Sequence, residues 1–240
     1  MTAKLIFDIE TAGVDFSGLD SATQESLTRW IKKEAQDEDE YRKMLEDLKN
    51  GLGFSPLTGE IVAIGVLDFD QNRGVVYYQA PGEKYEEFQK DNFVFKQTSE
   101  KEMLEKFWEG SKNYREFISF NGRSFDAPFI LIRSAKYKLK PSKDLMSNRY
   151  LSSQKFEAKH IDLQDQLTFY GAVRRKGSLH LWCNLFDIES PKIQGVTGDD
   201  IQGLFLNKEY KKIAEYNSRD LTATRELYIY WKEYLNFIVL

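Results

Sequence analysis

A strand near the start of the chain that carries two acids places the strongest constraint on the fold. Residues 4–11 read Lys-Leu-Ile-Phe-Asp-Ile-Glu-Thr, and this enrichment in β-branched and aromatic residues is typical of strands. Because side chains two positions apart share a face, Asp8 and Glu10 point to one side while Phe7 and Ile9 point to the other. Two neighbouring carboxylates are unfavourable unless they reach water or a cation. The apolar residues beside both acids favour an inner strand over a solvated strand end. Whether the two acids belong to a functional site depends on partner residues elsewhere in the chain.

Composition narrows the chemistry open to this chain. Its 240 residues suffice for one α/β domain or two small ones. A net charge of −4 gives no overall basic signature, so binding of nucleic acid would need a local basic patch. The single cysteine, Cys183, excludes a disulfide framework and a cysteine-based zinc site. The two histidines, His160 and His180, are too few for a histidine-rich metal site.

Targeting features are missing from the sequence pattern. The first strand begins almost at once, which leaves no room for the basic and apolar regions of a signal peptide. Apolar runs stay well short of the ~20 residues that a membrane span requires. We therefore expect a cytoplasmic protein that makes no membrane contact.

Periodicity and turn signals predict an alternation of strands and helices after the first strand. We expect an antiparallel hairpin of residues 60–69 and 74–79, a linker through 80–98, and short strands at 117–120 and 159–163. Helices are expected at 100–111, 128–138, from 164 to Tyr170, at 179–186 and from 198 to about 232. A charged insert, about residues 17–50, reads as one or two amphipathic helices. The pattern predicts one mixed-sheet α/β domain over residues 1–240.

Two further acids occupy positions that suit a site with Asp8 and Glu10. Asp126 follows the end of a predicted strand, where α/β sheets place their chemistry, although alone it reads as an ordinary acid of a helix N-terminus. Tyr216 and Asp220 are spaced i, i+4 and so share one face of the last helix. Alone, Asp220 reads as a surface acid paired with a neighbouring arginine.

A third acid, Asp162, stands at the end of the strand at 159–163. An aspartate directly before a helix commonly accepts hydrogen bonds from the first backbone N–H groups of that helix. We therefore predict a capping role for Asp162 rather than a place among the site acids.

The ordered set of motifs resembles a known family. Asp8-Ile9-Glu10-Thr11, the segment from Asn121 to Phe125-Asp126, and Tyr216 with Asp220 resemble the three motifs of the DEDD superfamily of 3′–5′ exonucleases. The nearest branch is the predicted exonucleases related to the proofreading domain of family B DNA polymerases. Tyr216 stands at the tyrosine position of the DEDDy branch, whereas the histidine branch would have histidine where this chain has Glu215. The charged insert departs from the family pattern.

The resemblance implies a ribonuclease H-like fold and hydrolysis of phosphodiester bonds with two divalent ions, Mg²⁺ or Mn²⁺. In the implied arrangement, Asp8 bridges both ions, Glu10 and Asp220 hold the ion that carries the attacking water, and Asp126 supports the second ion. Tyr216 orients the water through its hydroxyl. Hard cations with oxygen ligands would also neutralise the repulsion among these acids.

The implied substrate is single-stranded nucleic acid with a free 3′ end, and we expect DNA. Residues that adjoin the motifs or form basic groups are candidates for binding it; these are Thr11, Asn121, Phe125, Arg174 and Arg175. Two other readings are equally open: Phe125 is a core residue, and the two arginines lie in a solvated loop. Such an enzyme would serve DNA repair or replication, with a partner in either process. RNA hydrolysis by the same chemistry and a silent nucleic-acid-binding module remain the alternatives.

Overall fold

The computed structural model describes residues 3–194 and 198–237, and its centre is a mixed seven-stranded sheet. The strands are β1 Lys4–Gly13, β2 Gly59–Asp68, β3 Arg73–Tyr78, β4 Phe88–Lys90, β5 Phe93–Gln97, β6 Glu116–Ser119 and β7 Lys159–Asp162. Their order across the sheet is β4-β5-β3-β2-β1-β6-β7. β1 thus lies inside the sheet, antiparallel to β2 and parallel to β6. The predicted mixed α/β class is confirmed.

Helices cover both faces of this sheet. They are α1 Ser21–Thr28, α2 Ile31–Glu34, α3 Glu38–Gly51, α4 Glu100–Ser111, α5 Asp126–Lys136, α6 Leu163–Leu167, α7 Leu179–Leu185, α8 Ile201–Leu206 and α9 Tyr210–Tyr234. The short β-to-α connections follow the alternation expected from the sequence. Throughout the described ranges, every helix is too short or too polar to cross a lipid bilayer.

The alternation along β1 divides the hydrophobic core into two layers. Leu5, Phe7 and Ile9 pack in one cluster with side chains of α4 and α5, whereas Ile6 and Ala12 pack in a second cluster with those of α9. The even-numbered residues of the strand therefore point toward α9, as the two-residue period of a strand requires. This arrangement places the two acids of β1 under α9 rather than on the protein surface.

Two irregularities shape the carboxyl end of β1. The pairing with β6 stops at Ile6 opposite Ile118, so the second half of β1 has no strand beside it on that side. The pairing with β2 shifts register between Glu10 and Thr11. A shift of this kind is a β-bulge, which changes the direction of nearby side chains and often lies next to active sites.

The charged insert connects the paired ends of β1 and β2. Gly13 pairs with Gly59 at the last step of the β1/β2 ladder, and the Val14 N–H donates to the Thr58 carbonyl at 2.9 Å. The Gln202 side chain of α8 accepts from the Gly13 N–H at 2.6 Å, which joins α8 to the same point. All three helices of the insert therefore extend from one closed end of a strand pair.

Several sequence expectations need correction. The presumed linker through residues 80–98 contains β4 and β5, and β5 pairs in parallel with β3. The insert forms three helices rather than one or two, and α5 begins at Asp126 instead of Pro128. The final helical region is divided, because α8 ends before the long α9 begins. Ser99 forms a capping box with Glu102 at the start of α4, and Cys183 is a buried free thiol.

A buried ion pair joins the helix layer on the α4/α5 side to the sheet. Arg133 donates from Nε to Oε1 of Glu100 at 2.7 Å and from Nη2 to Oε2 at 2.6 Å. The same carboxylate accepts from the Tyr137 hydroxyl at 2.7 Å and from the Ile61 N–H at 2.9 Å. Removing one member of such a pair leaves a buried charge without its counterion.

We therefore expect Arg133→Met to lower the free energy of unfolding by about 3–5 kcal/mol. The matched control is Lys112→Met, because Lys112 pairs with Glu109 at 2.7 Å on the exposed surface of α4. That change should cost less than about 1 kcal/mol. Urea unfolding followed by circular dichroism measures both free energies of unfolding. Equal losses in the two variants would show that the buried Arg133–Glu100 pair stabilises the protein no more than an exposed ion pair does.

Candidate active site

Three carboxylates from distant parts of the sequence meet between β1 and α9. One carboxylate oxygen from each of Asp8, Glu10 and Asp220 lies within 4.8 Å of the others. The strand supplies two acids on one face, and the helix supplies the third from the face that packs on the sheet. Tyr216, one helical turn before Asp220, is 5% exposed and lies on that same face. The structure thus brings together four of the five residues expected to be catalytic.

Asp126 stands beside this cluster, on the β6 side of β1. Its Oδ1 accepts from the Ile9 N–H at 3.0 Å. That N–H is available because β6 has already ended its pairing with β1 at Ile6. Asp126 is therefore attached to the peptide between the two strand acids, and its charge raises the pKa of Asp8.

Burial raises the pKa of all four acids, and the charges of neighbouring acids raise it further for Asp8, Glu10 and Asp126. The pKa of Asp8 lies well above its usual range because the group is buried, and because Asp126, Glu10 and Asp220 carry like charge. Burial, followed by the charge of Asp220, does the same for Glu10. Burial raises the pKa of Asp126 and of Asp220 to about 7 each. Near neutral pH the four acids cannot all be ionised unless a cation is bound; without one, some of them hold protons.

Positive and hydroxyl groups of the α9 side reduce this repulsion. The pKa of Asp220, raised by burial, is lowered in turn by its interaction with Tyr216 and by the charges of Arg219 and Lys192. The guanidinium of Arg219 also lies 5.7 Å from the centre of the Tyr216 ring. Burial raises the pKa of Tyr216 far above its usual value, so this hydroxyl keeps its proton and can donate it in a hydrogen bond.

Asn217 is a site residue that the sequence analysis missed. Its Nδ2 donates to Oδ2 of Asp8 at 2.8 Å and lies 3.5 Å from Oε1 of Glu10. The side chain is fully buried, and it reaches the acids because Gly65 of β2, which pairs with Asp8, leaves space above the sheet. A Cβ at Gly65 would lie 1.9 Å from Oδ1 of Asn217. Its position next to Tyr216 in the motif was the one available signal.

Asp162 has the capping role that the sequence predicted. Its carboxylate accepts from the Gln164 N–H at the start of α6 and from the N–H groups of Asn121 and Arg123, each at 2.9 Å. The last two bonds hold the turn after β6, in which Asn121 has a φ of 60°. Asp162 thereby positions the segment that leads to Asp126.

The candidate substrate residues occupy different surroundings. Thr11 is half-buried directly after the register shift between β1 and β2, and Asn121 is half-buried in the turn after β6. Phe125 packs against the core with its ring centre 5.5 Å from that of Phe129. Arg174 and Arg175 are exposed in the connection between α6 and α7. None of these five belongs to the acid cluster, and their roles stay predictions.

The donor set fits a hard divalent cation. Carboxylate oxygens are the preferred ligands of Mg²⁺ and similar ions. Oδ1 of Asp220 is buried and has no hydrogen-bond partner among the residues that the structure describes. An acceptor left without a donor is costly to bury, and a bound cation would satisfy it. Asp8, Glu10 and Asp220 are the residues that the geometry offers as ligands, with Asp126 next to them.

The chain matches a family and two proteins that were compared with it. Residues 60–236 match the family described as predicted 3′–5′ exonucleases related to the exonuclease domain of PolB. DNA polymerase 1 of Sulfurisphaera ohwakuensis is 24% identical in an alignment 230 residues long, which covers 88% of this chain and 25% of that polymerase. The family B DNA polymerase of Pyrobaculum calidifontis matches with a TM-score of 0.58 and 12% identity over 97% of this chain and 25% of that one.

Each of these matches covers a different part of the chain and supports a different conclusion. The structural match establishes a ribonuclease H-like fold like that of a polymerase exonuclease domain. The chain spans about a quarter of the length of the curated polymerase that it matches. The family match includes Asp126, Tyr216 and Asp220 but begins after β1, so Asp8 and Glu10 are placed by the sequence motif and by the structure.

We expect Gly65→Ala to destabilise the protein by about 1–3 kcal/mol, because the new methyl group would overlap Asn217 and Leu221 in a packed interior. Gly110→Ala is the control: it lies inside α4, and a Cβ there meets nothing within 4 Å. Since alanine favours helix more than glycine does, that change should stabilise by up to about 1 kcal/mol. Chemical unfolding of both variants measures the difference. A Gly65→Ala protein as stable as the parent would contradict the close packing of Asn217.

We also expect Asp220→Asn to stabilise the metal-free protein in a pH-dependent way. Burial raises the pKa of Asp220 from 3.8 to about 7 in the folded chain. The folded parent therefore binds a proton more tightly than the unfolded parent, and its stability falls as pH rises from about 4 to about 7. The variant lacks this loss, so its advantage should grow through that range and then level off.

Unfolding in the presence of chelator at several pH values measures this advantage. Asp47→Asn, an exposed change on α3, provides the control and should show no such trend. An advantage that is constant with pH would mean that burial does not raise the pKa of Asp220 in the folded chain.

Proposed function

The chain belongs to the family of predicted 3′–5′ exonucleases related to the exonuclease domain of PolB, and from this we propose that it hydrolyses single-stranded nucleic acid, preferably DNA, from a free 3′ end. The observation that carries the proposal is the meeting of Asp8, Glu10 and Asp220 under α9. Three acids in one place, with Glu10 buried and Asp8 and Asp220 half-buried, are a stability cost that a purely structural role does not explain. Tyr216 and Asp126 complete the set expected of a DEDDy exonuclease.

The cofactor proposed for this site is a pair of divalent ions, Mg²⁺ or Mn²⁺. When bound, such ions acidify an attacking water and neutralise charge on the phosphate. The charges of Asp126, Glu10 and Asp220 all act on Asp8, so Asp8 would help to hold both cations. Glu10 and Asp220 would hold the first cation, and Asp126 would support the second.

Tyr216 would orient the attacking water. Its hydroxyl keeps its proton because burial and the nearby acids raise its pKa, so it can donate a hydrogen bond but cannot serve as the base near neutral pH. Asn217 holds Asp8 by a direct hydrogen bond and so limits the positions of the acid most central to the cluster. Correct placement of reacting groups contributes greatly to rate, and small displacements are costly.

The terminal nucleotide would lie at the carboxyl edge of β1 and β6. Thr11 directly follows Glu10 at the register shift between β1 and β2, and Asn121 lies in the segment between β6 and Asp126. Phe125 keeps part of its surface exposed while it packs on the core, so it can contact a base or sugar there. In this proposal Arg174 and Arg175 bind backbone phosphates, and the activity serves DNA repair or replication with a partner from either process.

We expect the protein to release mononucleotides from 5′-labelled single-stranded DNA only when Mg²⁺ or Mn²⁺ is present. A blocked 3′ end should stop the reaction, and a circular single strand should resist it. Gel analysis of labelled DNA and RNA of the same sequence also compares the two substrates directly. Cleavage of the circle would indicate an endonuclease, and the exonuclease proposal would then be wrong.

Two variants separate the proposed roles within the same assay. Asp220→Asn removes a ligand charge and should reduce the rate by at least about a thousandfold. Tyr216→Phe keeps the ring and should reduce the rate by about 10- to 1000-fold while leaving calorimetric metal binding intact. Full activity of either variant would contradict its assignment.

A further inference from the structure

A second candidate binding surface, which is aromatic and basic, follows the carboxyl end of β7. We define the aromatic–basic platform as Arg149, Tyr150, Phe169, Tyr170 and the basic residues 174–176. We propose that this platform binds single-stranded nucleic acid on the 5′ side of the nucleotide that reaches the acids, by stacking of bases on its rings. The inference rests on the proposed function and adds a binding site for the remainder of the strand.

The rings of the platform are available for stacking. Tyr150 is 53% exposed and Phe169 is 50% exposed. The ring of Tyr150 rests against that of Tyr170 with centres 4.7 Å apart, and the guanidinium of Arg149 lies 6.0 Å from the centre of the Tyr170 ring. Nucleic-acid bases stack on aromatic faces with little dependence on sequence, and an arginine plane adds to such a surface.

The backbone holds these rings in fixed positions. Phe169 and Tyr170 both adopt the left-handed region, with φ of 49° and 56°. Non-glycine residues seldom adopt this region, and surrounding contacts must stabilise two in succession. The Tyr170 hydroxyl accepts from the Leu151 N–H at 3.2 Å and from Nε2 of Gln166 at 2.9 Å. These bonds connect the two segments of the platform.

The charges of the platform suit phosphates. Arg174, Arg175 and Lys176 are all exposed, and no side chain of the described residues forms a hydrogen bond or ion pair with any of them. Arg149, in contrast, is bound to Asp165 through Nε and Oδ2 at 3.0 Å. Three consecutive exposed cations provide local positive charge in a chain of net charge −4. An acidic peptide would satisfy the charges but would offer few flat faces for the rings.

The platform is connected to the carboxyl end of β7, next to the turn after β6 that leads to Asp126. Asp162 ends β7, caps α6 and binds the turn that leads to Asp126. α6 then connects Asp162 directly to Phe169. Nε2 of Gln164 donates to the Gly177 carbonyl at 3.0 Å, which anchors the far end of the basic segment to α6. A strand whose 3′ end reaches the acids can therefore continue over the platform.

Binding without turnover tests the proposal directly. The full chain is titrated in chelator against fluorescent oligothymidylates of about 4 and about 20 nucleotides, and anisotropy gives each Kd. The parent should bind the longer strand more tightly, and Phe169→Ala should weaken that binding about tenfold. Phe169→Trp should restore it, because stacking needs only an aromatic face. Changing Arg174, Arg175 and Lys176 together to alanine should reduce the slope of log affinity against log salt by about two.

Phe156→Ala is the matched control for these titrations. Phe156 is 54% exposed and has the Arg115 guanidinium 5.1 Å from its ring centre. It precedes β7, however, and so lies at the amino end of that strand, whereas the platform follows the carboxyl end. Its variant should bind like the parent. If Phe169→Ala does not fold, Tyr150→Ala is measured in the same way. Parent-like affinity of the platform variants, or competition by polyglutamate as strong as that by oligothymidylate, overturns the proposal.

The result also separates this inference from the proposed function. A parent that binds the long strand through Phe169 but hydrolyses no 3′ end would refute the exonuclease and leave the platform intact. A parent that hydrolyses 3′ ends while Phe169→Ala keeps the same Kd and KM for long strands would refute the platform alone. A parent that binds no single strand in chelator also refutes the platform.

Discussion

The repulsion among carboxylates gathered under α9 is the interaction on which the rest of this structure depends. Asp8, Glu10 and Asp220 lie together, with Glu10 buried and the other two half-buried, and burial raises the pKa of each. A protein with a stability of about 5–15 kcal/mol can carry such a cluster only if the surroundings hold it firmly. The two hydrophobic layers on either side of β1 provide that support. The acids then present oxygen ligands in nearly fixed positions before any cation arrives.

Three details of the backbone make the arrangement compatible with a packed sheet. Gly65 removes the side chain that would fill the space of Asn217. The early end of the β1/β6 pairing leaves the Ile9 N–H for Asp126. Asp162 fixes the turn after β6 by accepting two of its backbone N–H groups. Each detail is a local irregularity of the sheet or of the turn after it. Together they position Asp8 and Asp126 through hydrogen bonds that a regular sheet would not provide.

The sequence predicted the parts of this design that depend on local pattern. The period of two in β1 was enough to place Asp8 and Glu10 on one face, and the turn signals predicted the hairpin that follows. β5 was missed because Phe93-Val94-Phe95 is short and follows proline and glycine, so it resembles a linker until β3 provides its partner. Asn217 was missed for a related reason. A polar residue in a helix reveals its partners only when the strand beneath it, with its glycine, is known.

The closed β1/β2 end has a consequence for how chains of this design can change in length. Because Gly13 and Gly59 are already paired, whatever chain connects them adds only a slowly increasing entropy of loop closure. The three helices between them can be lengthened, shortened or exchanged while the strand register stays the same. The connection from β6 to α5 has no such freedom, since each residue added there would move Asp126 away from Ile9. Length variation should therefore accumulate in the insert, and this is the region in which a common catalytic core can acquire different surroundings.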